Sequence, residues 1–234
     1  MIKIVTDSCI DFPVNVRKKI IGASNIVPLS FEIGGTYYQD GDVTTGQFLK
    51  LIEKNWPITS TPNPESFAKV FRHIVSKGDK VLCINISEGL SATKNQALIA
   101  AEDFPEDVIV VDSKTVSLGI YYLVEYANEL IKQSLSFEEV AGKVKEKTNN
   151  VKSFILINNI ENLRRGGRAS FTKYLLTSML DIKPLLEMDM DRGGKLQVIR
   201  KERGWKKAKD AMLRHVISLG NIVKGGVIHV QNLQ

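Results

Sequence analysis

Short apolar runs alternate with amphipathic stretches through the first two-thirds of the chain. Residues 2–6, 80–86 and 108–111 are mostly apolar and rich in β-branched side chains, which is typical of strands in a parallel sheet. The segments between these runs repeat apolar residues every three or four positions, as helices packed on a core do. The pattern predicts an α/β fold in which helices wrap a mostly parallel sheet.

Capping residues and prolines place several element boundaries. Asn63-Pro64 provides a cap followed by a first-turn proline, and Ser136 with Glu139 forms a capping box. Ser91 is predicted to open the helix that follows the strand over 80–86. The prolines around residues 58–64 predict a loop there, because proline forbids a continuing helix.

The pattern changes near residue 150. The elements predicted beyond that point are a strand over 151–157, an Arg/Gly loop, a helix containing Leu176 and Met179, an antiparallel hairpin of 182–188 with 196–199, a helix over 205–219 and a strand over 226–230. We therefore expect an N-terminal α/β domain over residues 1–150. Residues 151–234 are expected to form a second α/β domain that contains an antiparallel sheet. Within the N-terminal domain, Ile26–Phe31 is predicted to form a single strand.

Composition indicates a globular protein with a sizeable core. Hydrophobic residues make up 43% of the chain and charged residues 25%. No apolar run approaches the roughly 18 residues that a membrane-spanning helix needs, and the N-terminal residues do not resemble a signal peptide. With only Cys9 and Cys83, far apart in sequence, we expect reduced thiols and a cytoplasmic location.

Positive charge is concentrated in one segment. Residues 195–214 hold eight basic side chains against two acidic ones, and the whole chain has a net charge of +6. Such a segment fits an acidic partner, an anionic membrane or nucleic acid, and a solvated helix face is the plainer alternative. No nucleic-acid recognition motif accompanies it, so we expect no nucleic-acid partner. A docking surface for a partner or a membrane fits the helix near Trp205 better.

Common catalytic signatures are absent from the sequence. It has no phosphate-binding P-loop, dinucleotide fingerprint, zinc-protease helix, CxxC pair or GxSxG elbow. Its three histidines and two cysteines are scattered, so no metal site is expected. We expect a protein without catalytic groups of its own.

Hydroxyl side chains instead lie in two loops of the predicted sheet. Ser91-Ala92-Thr93 follows a central strand at a helix start, where amide groups and the helix dipole favour an anion. Open α/β sheets bind ligands at this edge. Thr59-Ser60-Thr61 lies in the proline-bounded loop. Ser91 could equally cap its own helix, and residues 59–61 could equally form a turn.

Three arginines surround the Gly166-Gly167 pair. Glycine allows close backbone approach to a ligand, and the Arg168 guanidinium suits a carboxylate or phosphate. A solvated surface loop is the alternative.

Motifs in a consistent order along nearly the whole chain resemble those of the DegV family. They are Ile4-Val5-Thr6-Asp7-Ser8, Thr59-Ser60-Thr61-Pro62, residues 86–93, Val111-Asp112-Ser113, residues 161–168 and Asp181-Ile182-Lys183-Pro184-Leu185-Leu186. DegV proteins are bacterial, and the resemblance implies two α/β domains that bind a long-chain fatty acid between them. It also implies that the chain is the lipid-binding subunit of a fatty acid kinase, which converts the presented carboxylate to an acyl phosphate. The bound fatty acid would be a ligand, with no cofactor.

The resemblance also implies a set of site residues. Thr59 and Ser91 would bind the carboxylate, with Ser60 and the amides of Ala92 and Thr93 as neighbours, and Arg168 would lie near the head group and the kinase. Candidates for an acyl tunnel are Leu176, Met179 and Ile182, for which ordinary core positions are the alternative. The family usually has glycine where this chain has Ala92, and it continues past Gln234, so the second domain is expected to be shortened. The competing hypothesis is a phosphoryl or acyl transferase that acts on a small anionic substrate.

Overall fold

The computed structural model describes residues 1–12, 16, 21–22, 25–158, 161–168 and 181–229. They belong to two compact units, Met1–Val151 and Lys152–Gln234. Within these described ranges no helix is long and apolar enough to cross a membrane.

A parallel sheet with helices on both faces forms the body of the first unit. The strands of the first unit, in both of its sheets, are β1 (Ile2–Asp7), β2 (Ile26–Val27), β3 (Ser30–Ile33), β4 (Thr36–Gln39), β5 (Ile58–Ser60), β6 (Lys80–Asn85) and β7 (Val108–Asp112). Helices of this unit within the described ranges are α1 (Thr45–Ile52), α2 (Pro64–Val75), α3 (Thr93–Ala101), α4 (Leu118–Lys132) and α5 (Phe137–Lys147). The parallel sheet has the strand order β2-β1-β6-β7. The predicted fold class is confirmed.

Alternate residues of β1 pack into different cores, because successive side chains of a strand point to opposite faces. Ile4 joins Leu82 in the cluster that contains the buried residues of α4 and α5. Val5 joins the cluster on the other face, where Phe67 and Phe71 of α2 are fully buried. Both faces of the sheet are therefore covered.

A small antiparallel sheet, in the order β4-β3-β5, adjoins this body. Phe31 on β3 packs on Tyr38 at 5.4 Å and on Phe48 of α1 at 5.3 Å between ring centroids. The loop predicted over 58–64 is wrong in its first part, since Ile58–Ser60 pairs with β3. This pairing partner lies far away in sequence, which is why the local composition did not indicate it.

The strand predicted over Ile26–Phe31 is divided between two sheets. β2 pairs with β1 in the parallel sheet, whereas β3 pairs with β4 and β5. Pro28 stands between the two pieces. Because proline has no amide proton for a strand ladder, it marks the point where the chain leaves one sheet for the other.

The second unit contains an antiparallel sheet in the order β10-β9-β8. Its elements are β8 (Phe154–Leu156), α6 (Glu161–Arg165), β9 (Ile182–Asp189), β10 (Lys195–Arg203) and α7 (Trp205–Ser218). Helix α7 packs on this sheet, with Ala208 and Ala211 buried. The predicted hairpin of 182–188 with 196–199 is confirmed by the β9–β10 pairing.

The last predicted strand is not present where the structure describes the chain. Residues 226–229 are irregular, and Val227 is 83% exposed. An apolar run forms a stable strand only where neighbouring strands pair with it, and none does so in the described part of this unit.

The predicted helix with Leu176 and Met179 lies outside the described residues.

Candidate functional site

The carboxyl edge of the parallel sheet contains a topological switch point. β2 lies on one side of β1 and β6 on the other, so the connections that leave these strands run in opposite directions. Open α/β sheets bind ligands in the crevice at such a point. The residues that end β1 and β6 are Asp7 and Asn85.

Asp7 bridges β1 and β6 at this edge. Its carboxylate is fully buried; Oδ2 accepts hydrogen bonds from the Ile86 amide at 2.7 Å and from Asn85 Nδ2 at 3.1 Å. Oδ1 accepts the Cys9 amide at 3.0 Å. Burial raises the pKa of Asp7 above its ordinary value, and these donors oppose the shift.

Three loops at this edge are joined by backbone hydrogen bonds. Ser87 N donates to Thr115 O at 2.9 Å, and Ser113 N donates to Asn85 O at 3.0 Å. Ser117 N donates to Cys9 O at 3.0 Å. Ser117 holds a φ of 62°, a region that residues other than glycine rarely occupy. The edge is therefore a connected set of loops, with local backbone strain of the kind found at functional sites.

Ser91 and Thr93 are brought together where α3 begins. Ser91 N donates to Ser87 O at 3.1 Å, and Ser91 Oγ lies 2.8 Å from Thr93 Oγ1. Thr93 N donates to Ser91 Oγ at 3.3 Å, and both side chains are buried. The helix begins at Thr93, with Ala92 as its N-cap, and not at Ser91 as predicted.

Ala92 occupies the N-cap of α3. Its methyl side chain cannot accept a hydrogen bond, so it gives no acceptor to the first-turn amides of the helix. The Thr93 amide already donates to Ser91 Oγ, so the features here that favour an external anion are the positive end of the helix dipole and the adjacent Ser91 and Thr93 hydroxyls.

Thr59 and Ser60 lie on β5, the edge strand of the antiparallel sheet, and both are exposed. Thr59 is paired with Phe31, and Ser60 with Ser30. Cross-strand partners share a face and successive residues do not, so Thr59 lies on the aromatic face and Ser60 on the opposite face. The two hydroxyls therefore cannot approach one ligand atom from the same side of the sheet.

The Gly166-Gly167 pair ends a helix. The structure has α6 over Glu161–Arg165 where a loop was predicted. Gly167 has a φ of 73°, its amide donates to Arg164 O at 3.0 Å, and the Arg168 amide donates to Leu163 O at 2.9 Å. These two bonds form a Schellman motif, which needs a left-handed residue at this position. Gly167 therefore serves to end the helix. The Arg168 guanidinium donates a hydrogen bond to the Gly166 carbonyl.

Glu161 binds two of the three arginines. Its carboxylate accepts hydrogen bonds from Arg164 Nε and Nη2, both at 2.8 Å, and from Arg165 Nε at 2.6 Å. The bonds from Arg164, and then from Arg165, lower the pKa of Glu161 from its ordinary 4.5 to about 2. Because the folded pKa is lowered, this cluster stabilises the fold above pH 4.5, and its contribution is lost as the pH falls through about 2.

Carbon-13 NMR titration of the Glu161 carboxyl is expected to give a pKa of about 2. The physical reason is the loss of two charge-assisted partners on protonation. Replacing both Arg164 and Arg165 with glutamine is the matched control, and it is expected to return the pKa towards 4.5. A wild-type midpoint near 4.5 would contradict the ion-pair geometry.

Lys183, which belongs to the motif of residues 181–186 but was given no role from the sequence, is a buried cation. Its ammonium donates to Asn158 Oδ1 at 2.7 Å, pairs with Asp181 Oδ1 at 2.8 Å and lies 5.7 Å from the Trp205 ring centroid. The available signal was a lysine within the apolar run of β9.

Of the predicted acyl-tunnel residues, Ile182 is partly buried, whereas Leu176 and Met179 lie outside the described residues.

The described residues contain no group of three or more His, Cys, Asp or Glu side chains that could hold a metal ion. Cys83 is buried beside Asn85, and burial raises the pKa of its thiol well above the usual value. Burial likewise raises the pKa of the Cys9 thiol. Both cysteines are free, and neither is poised as a thiolate.

Known proteins are similar to this chain in sequence and in fold. The model of the DegV family, described as an uncharacterised protein family, matches residues 1–233. A DegV domain-containing protein of Staphylococcus aureus (strain COL) is 34% identical over 204 residues, covering 86% of this chain and 71% of that protein.

Solved structures agree with the sequence comparison. A DegV family protein from Thermus thermophilus, described as fatty acid binding, has a TM-score of 0.83 and 33% identity, over 93% of this chain and 77% of that one. A stearic-acid-binding protein from Eubacterium ventriosum has a TM-score of 0.80 and 29% identity, over 93% and 76% of the two chains. The resemblance noted in the sequence is confirmed, and the chain belongs to the DegV family.

Proposed function

We propose that this chain binds a long-chain fatty acid and presents its carboxylate to a partner. The observation that carries the proposal is the likeness to the fatty-acid-binding DegV protein of T. thermophilus, at 33% identity over 93% of this chain. The E. ventriosum protein, which binds stearic acid, supports a long saturated acyl chain as the ligand class.

The carboxylate fits best at the start of α3. Ser91 Oγ is held there by Thr93, and the amides of Ala92 and Thr93 lie at the positive end of the helix dipole. Each charge-assisted hydrogen bond to a carboxylate contributes about 1.5–3 kcal/mol. The acyl chain contributes about 0.8 kcal/mol for each buried CH₂, so the chain sets affinity while the hydroxyl and amide groups set orientation.

The other site residues keep more limited proposed roles. Thr59 is proposed as the second hydroxyl ligand of the carboxylate, as the family resemblance implies, and Ser60 lies on the opposite face of β5. Ile182 is a proposed acyl contact, as are Leu176 and Met179. Arg168 is proposed to act in delivery of the carboxylate to the partner, as the family resemblance implies.

The partner is proposed to be a fatty acid kinase in the cytoplasm that converts the carboxylate to an acyl phosphate. This follows from the family resemblance and from the absence of catalytic signatures in the sequence. A transient contact with an anionic membrane is also proposed, through α7. Beside the exposed lysines 206 and 207, Leu213 is 60% exposed and Ile217 74% exposed, which fits an interfacial helix.

Extraction of the purified, denatured protein with organic solvent is expected to release a long-chain fatty acid, identifiable by mass spectrometry. Protein stripped of lipid is expected to bind added palmitate with about one site per chain. A clean extract together with no binding of palmitate would refute the proposed function. Turnover of ATP by the chain alone, in the presence of palmitate, would favour the transferase hypothesis instead.

A further inference from the structure

We propose that Asp7 is a positioning residue that aims the Ser91 turn at the fatty acid carboxylate, an inference that rests on the proposed function. Asp7 lies at the end of β1, whereas the turn that holds Ser91 follows β6. In this role the buried carboxylate contributes to ligand selection without contact to the ligand.

Asp7 fixes the residue from which the turn starts. The Ile86 amide, the first after β6, donates to Asp7 Oδ2 at 2.7 Å. Its neighbour Ser87 donates to Thr115 O at 2.9 Å, and its carbonyl accepts the Ser91 amide at 3.1 Å. A shift of the peptide at Ile86 is therefore passed through one residue to Ser91.

Both oxygens of Asp7 are needed for this arrangement. Oδ2 takes the Ile86 amide and Asn85 Nδ2, and Oδ1 takes the Cys9 amide. A carboxamide offers one acceptor and one donor, so Asp7→Asn sets an N–H group against one of these N–H donors. The volume of the side chain hardly changes, which makes the substitution specific for hydrogen bonding.

The position of Asp7 favours a functional role over a purely structural one. It bridges β1 and β6 at the point where the strand order reverses, which is where ligands bind in open α/β sheets. A carboxylate buried there is costly, because desolvation disfavours its charge and raises its pKa. Dependence of the site's geometry on the Asp7 carboxylate would explain why the protein has a buried charge at this position.

The test compares palmitate with 1-hexadecanol, which keeps the acyl chain but lacks the carboxylate. Binding constants of both probes are measured for the wild type, Asp7→Asn, Ser91→Ala and the double variant. For Asp7→Asn we expect the preference for palmitate over the alcohol to fall about tenfold, which equals about 1.4 kcal/mol. Because Asp7 acts through Ser91, the double variant is expected to show no further fall than Ser91→Ala.

Asp79→Asn is the matched control. Asp79 immediately precedes β6, at the end of the strand opposite to Asn85 and Ile86, and its carboxylate binds the Met1 ammonium at 2.8 Å. The variant is expected to leave the preference for palmitate unchanged. The positioning role would be overturned if Asp7→Asn weakened binding of palmitate and 1-hexadecanol equally. It would also be overturned if the losses of preference for palmitate in the two single variants added up in the double variant. If Asp7→Asn does not fold, Asp7→Ser takes its place with the same expectation, and failure of both to fold assigns Asp7 to folding alone and also overturns it. A wild type that binds neither probe refutes the proposed function itself.

Discussion

Ser91→Ala is expected to weaken palmitate binding by about ten- to a hundredfold, the largest effect of any single side chain in the proposed site. The substitution removes a hydroxyl that is held by Thr93 Oγ1 at 2.8 Å and that accepts the first amide of α3. Loss of one hydrogen bond to a charged group costs about 1.5–3 kcal/mol, which corresponds to this range of affinity. Isothermal titration with lipid-free protein measures it.

Ser76→Ala is the matched control for that measurement. Ser76 is an exposed serine at the end of α2, and its hydroxyl donates to His73 O at 3.2 Å. Palmitate affinity is expected to stay within twofold of the wild type in this variant. If Ser91→Ala also stays within twofold, the carboxylate does not bind at the start of α3.

Gly119→Ala is expected to destabilise the protein by about 3 kcal/mol or more. A Cβ at this position of α4 would lie 2.9 Å from Thr115 Cβ, 2.6 Å from Thr115 Cγ2 and closer still to Oγ1. Thr115 is fully buried, and its carbonyl accepts the Ser87 amide, so the side chain cannot move away easily. Overpacking of a tight core typically costs about 1–3 kcal/mol, and here the overlap involves several atoms.

The same substitution at Gly142 is expected to have the opposite sign. Gly142 lies within α5, and a Cβ there would meet no atom within 4 Å. Alanine in the interior of an exposed helix stabilises by about 0.5–1 kcal/mol relative to glycine. Urea unfolding of the two variants gives the comparison. A Gly119→Ala variant within 1 kcal/mol of the wild type would show that the Thr115 side chain can yield.

Features set by adjacent residues could be predicted from the sequence. The capping box of Ser136 with Glu139 and the Asn63-Pro64 helix start are present as expected, because each depends on contacts within four residues. The strand β5 could not be predicted, because its exposed residues form a strand only through pairing with β3. The division at Pro28 likewise depends on which sheet accepts each half of the segment.

Candidate site residues could be named from the sequence, but the contacts around them could be predicted only where they are local. Asp7 accepts a local hydrogen bond from the Cys9 amide, two residues away, of the kind that aspartate commonly forms at the end of a strand. Its bonds to Asn85 and Ile86 join residues 78 and 79 positions apart, and no local pattern reports them. Gly167 was interpreted from the sequence as allowing close approach to a ligand, whereas in the structure it ends a helix that the sequence did not predict.

The register of the central strands has a consequence for synthesis of the chain. β1 pairs with β6 from Ile2 opposite Lys80 to Thr6 opposite Ile84. A nascent chain therefore cannot complete its central strand pair until β6 has left the ribosome, although β1 emerges first. Contacts of such sequence separation slow folding and leave the apolar residues of β1 without their partners in the meantime. Chaperone binding to short nascent chains of this protein is expected to concentrate on β1.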